Sequence, residues 1–468
     1  MNNRILRIAI PSIISNVTVP LLGLVDTAIT GHLGAASYLA AIAIGTSVFS
    51  LCYWAFGFLR MGTGGLTAQA FGRRSMADCR TCLHRALTIA TIAGIAIIIL
   101  QSAILHAALW IITPSPEVGQ LAALYFHILV WGAPANLGLS ALNGWLLGMQ
   151  NARAPMAVAI GQNVLNILAS CCFVMMLGWK IEGVAAGTLI AQWAGFAAAL
   201  VAAQKMYRAT SLTPVRSDGT ATESDSIRHS PTDTPSDAVS WQRFFSVNRD
   251  IFLRTACLVA VMFSFTAFAA PYGDITLAVN TILMQFFLFV SYVMDGFAYA
   301  GEAIGGSLYG AGDHRGLSAL THRLFAWAIV LAILFVGVFW AGSTTLLALL
   351  TDNIEVRQAA ANFLIFVIVL PLLSIGAFIY DGLFIGTTST RGMLLSIGVA
   401  TAAYFAVALT ATRLPLLPAH FSPNHALWTA FLLYLAIRGG VQHLLMPGII
   451  RRCKANADTT VPLPPASA

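Results

Sequence analysis

The chain has 468 residues, of which 58% are hydrophobic and only 9% charged, and its mean hydropathy is +0.80. Soluble domains carry about 25% charged residues, and a core of this size has no room for so much apolar surface, so an ordinary soluble fold is excluded. The net charge of +7 comes from basic residues dispersed among short loops, which argues against nucleic acid as a partner.

The opening, MNNRILRIAIPSII, places two arginines before a long apolar run with no small-residue cleavage site after it. It reads as a retained first helix rather than a signal peptide. Residues 19–34, VPLLGLVDTAITGHLG, continue that helix and set Asp26 near its middle. A charge at such a depth costs ~2.5–3.5 kcal/mol on insertion scales, and acids kept there face a protein interior or a wet cavity. Pro20 removes a backbone donor, frees the carbonyl of Asn16 and predicts a bend just before the acid.

Segments long enough to span a bilayer, ~20 residues each, fall at 8–30, 38–60, 83–109, 121–147, 157–177, 183–204, 251–270, 276–309, 323–348, 360–386, 393–412 and 426–450. The basic residues test that count of twelve. On the side away from the N-terminus only Lys180, Arg357 and Arg413 are basic, and Arg60 sits within the second span. Every other Lys and Arg is assigned to the N-terminal side. The positive-inside rule then puts both termini in the cytoplasm, and an odd number of spans would scramble the separation.

The fifth span, GQNVLNILAS, spaces Gln162, Asn166 and Ser170 at i, i+4 and i+8, a polar stripe on one helix face, and the sixth adds Thr188. Such a stripe can hydrogen-bond a carboxylic acid or complete the oxygen shell of a cation. Desolvation raises an acid toward neutrality and lets it load and release a proton, which makes Asp26 a candidate titrating site.

After the sixth span comes TSLTPVRSDGTATESDSIRHSPTDTPSD (210–237), rich in Ser, Thr, Asp and Pro with almost nothing to bury. It predicts a disordered cytoplasmic linker, taken as 210–247, between an N-lobe at 1–209 and a C-lobe at 248–450, with a cytoplasmic tail at 451–468. The halves resemble each other. NGWLLGMQNAR (143–153) aligns with DGLFIGTTSTR (381–391), and 381 minus 143 gives an offset of 238 that also pairs Leu39-Ala40 with Leu277-Ala278 and Gly72 with Gly310. Six spans per half keep both in one orientation. The expected fold is therefore all-α, with twelve transmembrane helices in two parallel six-helix lobes related by a pseudo-twofold axis along the membrane normal, the architecture of alternating access.

The carboxylates clearly inside spans are Asp26, Asp295, Glu302 and Asp381, and Asp295 and Glu302 are seven residues apart on one face. The seven cysteines build no disulfide framework, and CRTCLH (79–84) misses the haem-attachment spacing by one residue.

Six stretches taken together, PLLGLVDTAITGHLG, FLRMGTGGLTAQAFG (58–72), GWLLGMQNARAP (144–155), NRDIFLR (248–254), MDGFAYAGEA (294–303) and DGLFIG (381–386), closely resemble the DinF-like branch of the multidrug and toxic compound extrusion (MATE) family. The resemblance covers nearly the whole chain outside the linker. It implies efflux of drugs or other organic compounds, cationic or amphiphilic, against inward flow of H+ or Na+, by a monomer in the bacterial cytoplasmic (inner) membrane. It places the family's coupling acid on Asp26, its fifth-helix asparagine on Asn166 and a sixth-helix threonine on Thr188. Family members often carry a second acid where this chain has Ser170, so Asp26 acts without an acidic neighbour. Asp381 matches an acid that some members use for cation binding in the C-lobe, but their acidic partner on the seventh helix has no equivalent beside Ser264 and Thr266. H+ is thereby favoured over Na+, with Arg60, Gln162, Asp295, Glu302 and Asp381 as secondary polar or gating positions.

No organic cofactor or metal is expected. The three lysines lie outside any G-x-x-x-x-G-K-[ST] motif, which argues against a primary pump, and no H-E-x-x-H or G-x-S-x-G supports an intramembrane enzyme built on Asp295 and Glu302. The alternative is a lipid-linked or amphiphile flippase of the same superfamily. It calls for several arginines lining the cleft to hold pyrophosphate, and Arg60 is the one candidate read at depth.

Overall fold

The structure is a computed structural model that describes residues 1–31, 36–212, 240–413 and 423–460, with side chains at 1–18, 20, 37–209, 240–410 and 423–457. Among the described residues it is helical throughout. The first half runs α1 (Asn2–Gly31), α2 (Ala36–Ala55), α3 (Phe58–Gly72), α4 (Met76–Ile99), α5 (Gln101–Ile112), α6 (Pro116–Leu129), α7 (Ala133–Gly148), α8 (Arg153–Cys171) and α9 (Ile181–Leu212). The second half runs α10 (Trp241–Ala269), α11 (Asp274–Gly310), α12 (His314–Leu350), α13 (Ile354–Ala361), α14 (Leu364–Gly386), α15 (Thr390–Arg413) and α16 (Pro423–Thr460). Eleven helical stretches of the described residues are long and apolar enough to cross a membrane. With the 30-residue α1 they make the twelve spans of a polytopic all-α membrane protein.

The chain forms two compact units, Thr18–Ser246 on the one hand and Met1–Val17 with Val247–Ala468 on the other. In the first, α7 packs on α3, α4 and α9, while α8 lies along α9. In the second, α14 packs on α11, α12 and α16, while α15 lies along α16.

The repeat offset of 238 reappears in the geometry. Ser75 caps α4 by accepting from the Asp78 N–H at 3.3 Å, and Asp313 caps α12 by accepting from the Gly316 N–H at 2.7 Å. The left-handed residues Arg74 (φ 59°) and Gln150 (φ 66°) correspond to Gly312 (φ 75°) and Thr388 (φ 49°). α7 and α14 each present Gly-x-x-x-Gly to a neighbour's backbone. A Cβ at Gly144 would fall on the Arg60 carbonyl and one at Gly382 on the Ala298 carbonyl. Gly148 and Gly386 meet the carbonyls of Gly64 and Glu302 in the same way. Small residues in membrane helices allow this approach.

Three boundaries differ from expectation. Residues 241–247 of the expected linker are the first turns of α10, because WQRFFSV carries aromatic anchors. Phe244 is fully buried, the Arg85 guanidinium lies 4.9 Å from the Trp241 ring centroid, and Arg243 donates to Gln69 Oε1 at 3.3 Å. The rest of the expected disorder, 213–239, lies outside the described residues. The expected tail begins as helix, since α16 runs on to Thr460 and buries Cys453. Finally, the first turns of α1 pack with the second half. Ile5, Ile8 and Ala9 are buried there, and Asn16 Nδ2 donates to Tyr292 O at 3.1 Å.

Candidate functional site

In the unit Thr18–Ser246 the polar stripe of α8 lies against α9. Asn166 donates from Nδ2 to Thr188 Oγ1 at 3.0 Å, and the Thr188 hydroxyl donates to Val184 O at 3.0 Å. Asn166 and Ser170 are buried and Gln162 is half-buried. Asn163 donates to Thr18 O at 3.3 Å, tying α8 to α1. The facing wall is glycine. A Cβ at Gly195 would sit 2.6 Å from Gln162 Oε1, and one at Gly187 would sit 2.8 Å from the Ser170 backbone nitrogen.

This seam is closely packed yet incompletely satisfied. Asn166 Oδ1 and Ser170 Oγ are buried with no hydrogen-bond partner among the described residues. A buried polar group left unpaired costs ~1–3 kcal/mol, and these two lie one turn apart on α8. The structure thus brings together Gln162, Asn166, Ser170 and Thr188. Asp26 falls in the part of α1 whose side chains lie outside those described. Pro20 lies exposed within α1, and Arg60 is half-buried in the first turn of α3.

The other unit has its polar centre elsewhere. Asp381 on α14 accepts from Arg254 of α10 and Arg438 of α16 at Oδ2, and from Gln442 Nε2 at Oδ1 over 2.8 Å. All four side chains are buried. Two guanidiniums on one carboxylate leave an excess of one positive charge, and Asp295 on α11 lies near enough to Arg438 to interact with it electrostatically. Asp295 also accepts from Ser291 Oγ at 3.4 Å, while Glu302 is buried where α11 meets α14.

These contacts correct one expectation. Arg60 is not the sole arginine at depth. Arg254 and Arg438 are both in the core of their unit, and assigning basic residues to loops had hidden them. The signal was present, for Arg438 interrupts the apolar run FLLYLAIRGGV, and Arg254 follows Asp250 by one helical turn.

Two sets of membrane helices built on one repeated plan, each with a buried polar centre, define a duplicated membrane transporter. Residues 11–171 and 251–411 match the MatE family. The chain is 36% identical over 433 residues to DNA damage-inducible protein F of Escherichia coli (strain K12), covering 92% of this chain and 89% of that protein. It is 23% identical over 376 residues to the probable multidrug resistance protein NorM of Acinetobacter baylyi, covering 79% and 80% respectively. Its fold matches a crystal structure of MATE in the bent conformation with a TM-score of 0.78 at 19% identity, over 98% of this chain and 97% of that one. The chain belongs to the MatE family, and is accordingly a multi-pass membrane transporter and not an enzyme.

Proposed function

We propose that this chain exports small organic compounds, cationic or amphiphilic, from the bacterial cytoplasm in exchange for a cation, H+ in preference to Na+, as a monomer with both termini cytoplasmic. The multidrug-resistance name of the Acinetobacter baylyi relative supports substrates of that class. The coupling group in this reading is Asp26, and the observation that carries it is the α8–α9 seam with its unpaired Asn166 Oδ1 and Ser170 Oγ.

The internal repeat supports the pairing. By the offset of 238, Asp26 and Asn166 correspond to Ser264 and Tyr404, whose hydroxyls lie 3.5 Å apart in their own unit. A protonated Asp26 donates to the orphan acceptors and tolerates a dry pocket, whereas the ionised form draws in water or a cation. That difference biases the transport cycle, because an ion bound equally well by both conformations shifts nothing. Asp381, already held by Arg254 and Arg438, is poorly disposed to take a cation as well. The same ion pairs weigh against the flippase reading, since the buried arginines are engaged by a carboxylate and are not free to hold pyrophosphate.

Everted vesicles supplied with a panel of organic dyes, under an imposed pH or sodium gradient, test the proposal. Acid-inside vesicles carrying the parent chain accumulate dye, and Asp26→Asn abolishes that uptake while leaving insertion and dye binding intact. Near-normal proton-driven uptake by Asp26→Asn refutes the coupling role. In a background without native cysteines, one cysteine placed in 210–237 labels only from the cytoplasmic face if the orientation is right.

A further inference from the structure

A second feature lies in the unit of Val247–Ala468, away from the buried charges. At the start of α12 a cavity of about 640 Å³ opens to the surface, lined by His314, Arg315, Ser318, Ala319, His322, Arg323 and Ile450. Among the described residues no carboxylate lines it. The nearest acid in sequence, Asp313, is turned to the Gly316 N–H as a helix cap. His322 Nδ1 bonds to Ser318 O at 2.8 Å, which leaves Nε2 facing outward from that bond, and Arg323 is steadied by Asn2 Oδ1 at 3.0 Å.

Its level in the bilayer follows from α12. This helix has 37 residues, about 55 Å at ~1.5 Å per residue, against a hydrocarbon core of about 30 Å. Its outward apolar face begins at Ile329 and Val330 and continues through Ile333, Leu334, Val338 and Trp340. Arg323 lies six residues earlier, so the cavity sits at the headgroup layer, on the side that carries most of the basic residues.

The duplicated half shows why the cavity exists. The counterparts of His322 and Arg323 are His84 and Arg85, and Arg85 is covered by the Trp241 ring at the start of α10. The position equivalent to Trp241 at the start of α1 is Asn3, and Arg323 donates to the neighbouring Asn2. One half sets an indole against the arginine at this corner, while the other leaves its cationic side chains beside Ala319 and Ile450.

The geometry points to a binding site here for the phosphate headgroup of an anionic lipid of the cytoplasmic leaflet, with Arg315 and Arg323 on the phosphate oxygens and Ala319 and Ile450 beneath the glycerol end. Arginine suits phosphate through its planar pair of donors, and basic pockets between membrane helices on the cytoplasmic side select anionic headgroups.

The test uses the purified full chain in detergent, titrated with phosphatidylglycerol or phosphatidylcholine, with bound lipid counted by native mass spectrometry. The parent retains phosphatidylglycerol in preference to phosphatidylcholine. Arg315→Gln/His322→Gln lowers that retention about fivefold, the worth of one basic residue near an anionic surface. A control pair of equal charge change, Arg80→Gln/His84→Gln on α4, changes it less than twofold. Arg315→Lys/His322→Gln recovers part of the loss, and melting curves read alongside confirm that each variant is folded. Should the double variant fail to fold, Arg315→Gln alone gives the same reading. Equal loss from the α4 pair reduces the effect to general surface charge, and unchanged retention removes the site. Displacement of the lipid by millimolar inorganic phosphate assigns the cavity to a soluble anion and overturns the lipid proposal.

Discussion

The two halves share a backbone plan and differ in where they place polarity. On α8 the polar stripe is Gln162, Asn166 and Ser170, and its counterparts on α15 are Ala400, Tyr404 and Ala408. On α14 the acid Asp381 is held by Arg254, Arg438 and Gln442, and the counterparts of these four are Asn143, Asn16, Leu200 and Gln204. The glycine contacts that bring α7 onto α3 and α14 onto α11 stayed in register while the polar groups diverged. The scaffold therefore tolerates exchange of its buried polar residues but not of its closest backbone approaches. The divergence also assigns different work to each half. Ion pairs around Asp381 tie three helices of one unit together, whereas in the other Asn166 Oδ1 and Ser170 Oγ have no partner among the described residues.

The largest effect is expected at Asp381. Removing it leaves Arg254 and Arg438 buried without the carboxylate that neutralises one of them, and breaking a buried pair in this way costs ~3–5 kcal/mol. Asp381→Leu is expected to lose folded, monodisperse protein on size exclusion, while Asn143→Ala at the matching position costs no more than ~1 kcal/mol. Replacing the group together, as Arg254→Met/Asp381→Leu/Arg438→Met, restores much of the melting temperature, since neither guanidinium is then buried without a carboxylate. Equal damage from Asn143→Ala would break the contrast between the halves.

The glycines test what the halves have in common. Gly144→Val and Gly382→Val each drive a side chain onto a backbone carbonyl, of Arg60 and Ala298 respectively. Overpacking costs ~1–3 kcal/mol and occasionally more, and a backbone obstacle places these at the upper end. Melting in detergent should fall by similar amounts in the two variants. A loss confined to one would mean that the shared register does not carry equal weight in both.

Much of this was legible in the residues. Hydropathy located the spans, and one offset exposed the duplication because a gapless repeat survives in the positions that touch backbone. The α8 stripe was visible because a spacing of four puts Gln162, Asn166 and Ser170 on one helix face. What stayed hidden depended on partners distant in the chain. Arg438 read as one more basic residue near the C-terminus until α10 and α14 brought Arg254 and Asp381 to it. FLRMGTGGLTAQAFG, with its glycines and threonines, has weak helix propensity by itself. It is helical as α3 because the same small residues admit the backbone of α7. Trp241 and Phe244 follow a polar stretch, and the stacking of Trp241 on Arg85 with the burial of Phe244 against the α4 residues Cys82 and Ala86 makes them helix rather than linker.

The smallest expected effect on stability is also the most discriminating. Ser170 is fully buried, and its hydroxyl has no partner among the described residues, so Ser170→Ala removes a desolvated polar group and surrenders no hydrogen bond seen there. The fold should be unchanged or up to ~1 kcal/mol more stable, read as melting in detergent. Proton-driven dye uptake should nevertheless fall severalfold, because in the proposed cycle the protonated Asp26 loses one of its acceptors. The converse change tests the same logic. Ala408→Ser puts a hydroxyl into the corresponding apolar position of α15, where Ala408 is buried, and should lower stability by ~1–2 kcal/mol unless the hydroxyl turns back to a carbonyl of its own helix. Uptake should then fall only in proportion to folded protein. A variant Ser170→Ala that melts early yet transports normally would show that the hydroxyl holds the helices together and takes no part in coupling, and the distinction between a locked unit and an open one would fail at its most specific residue.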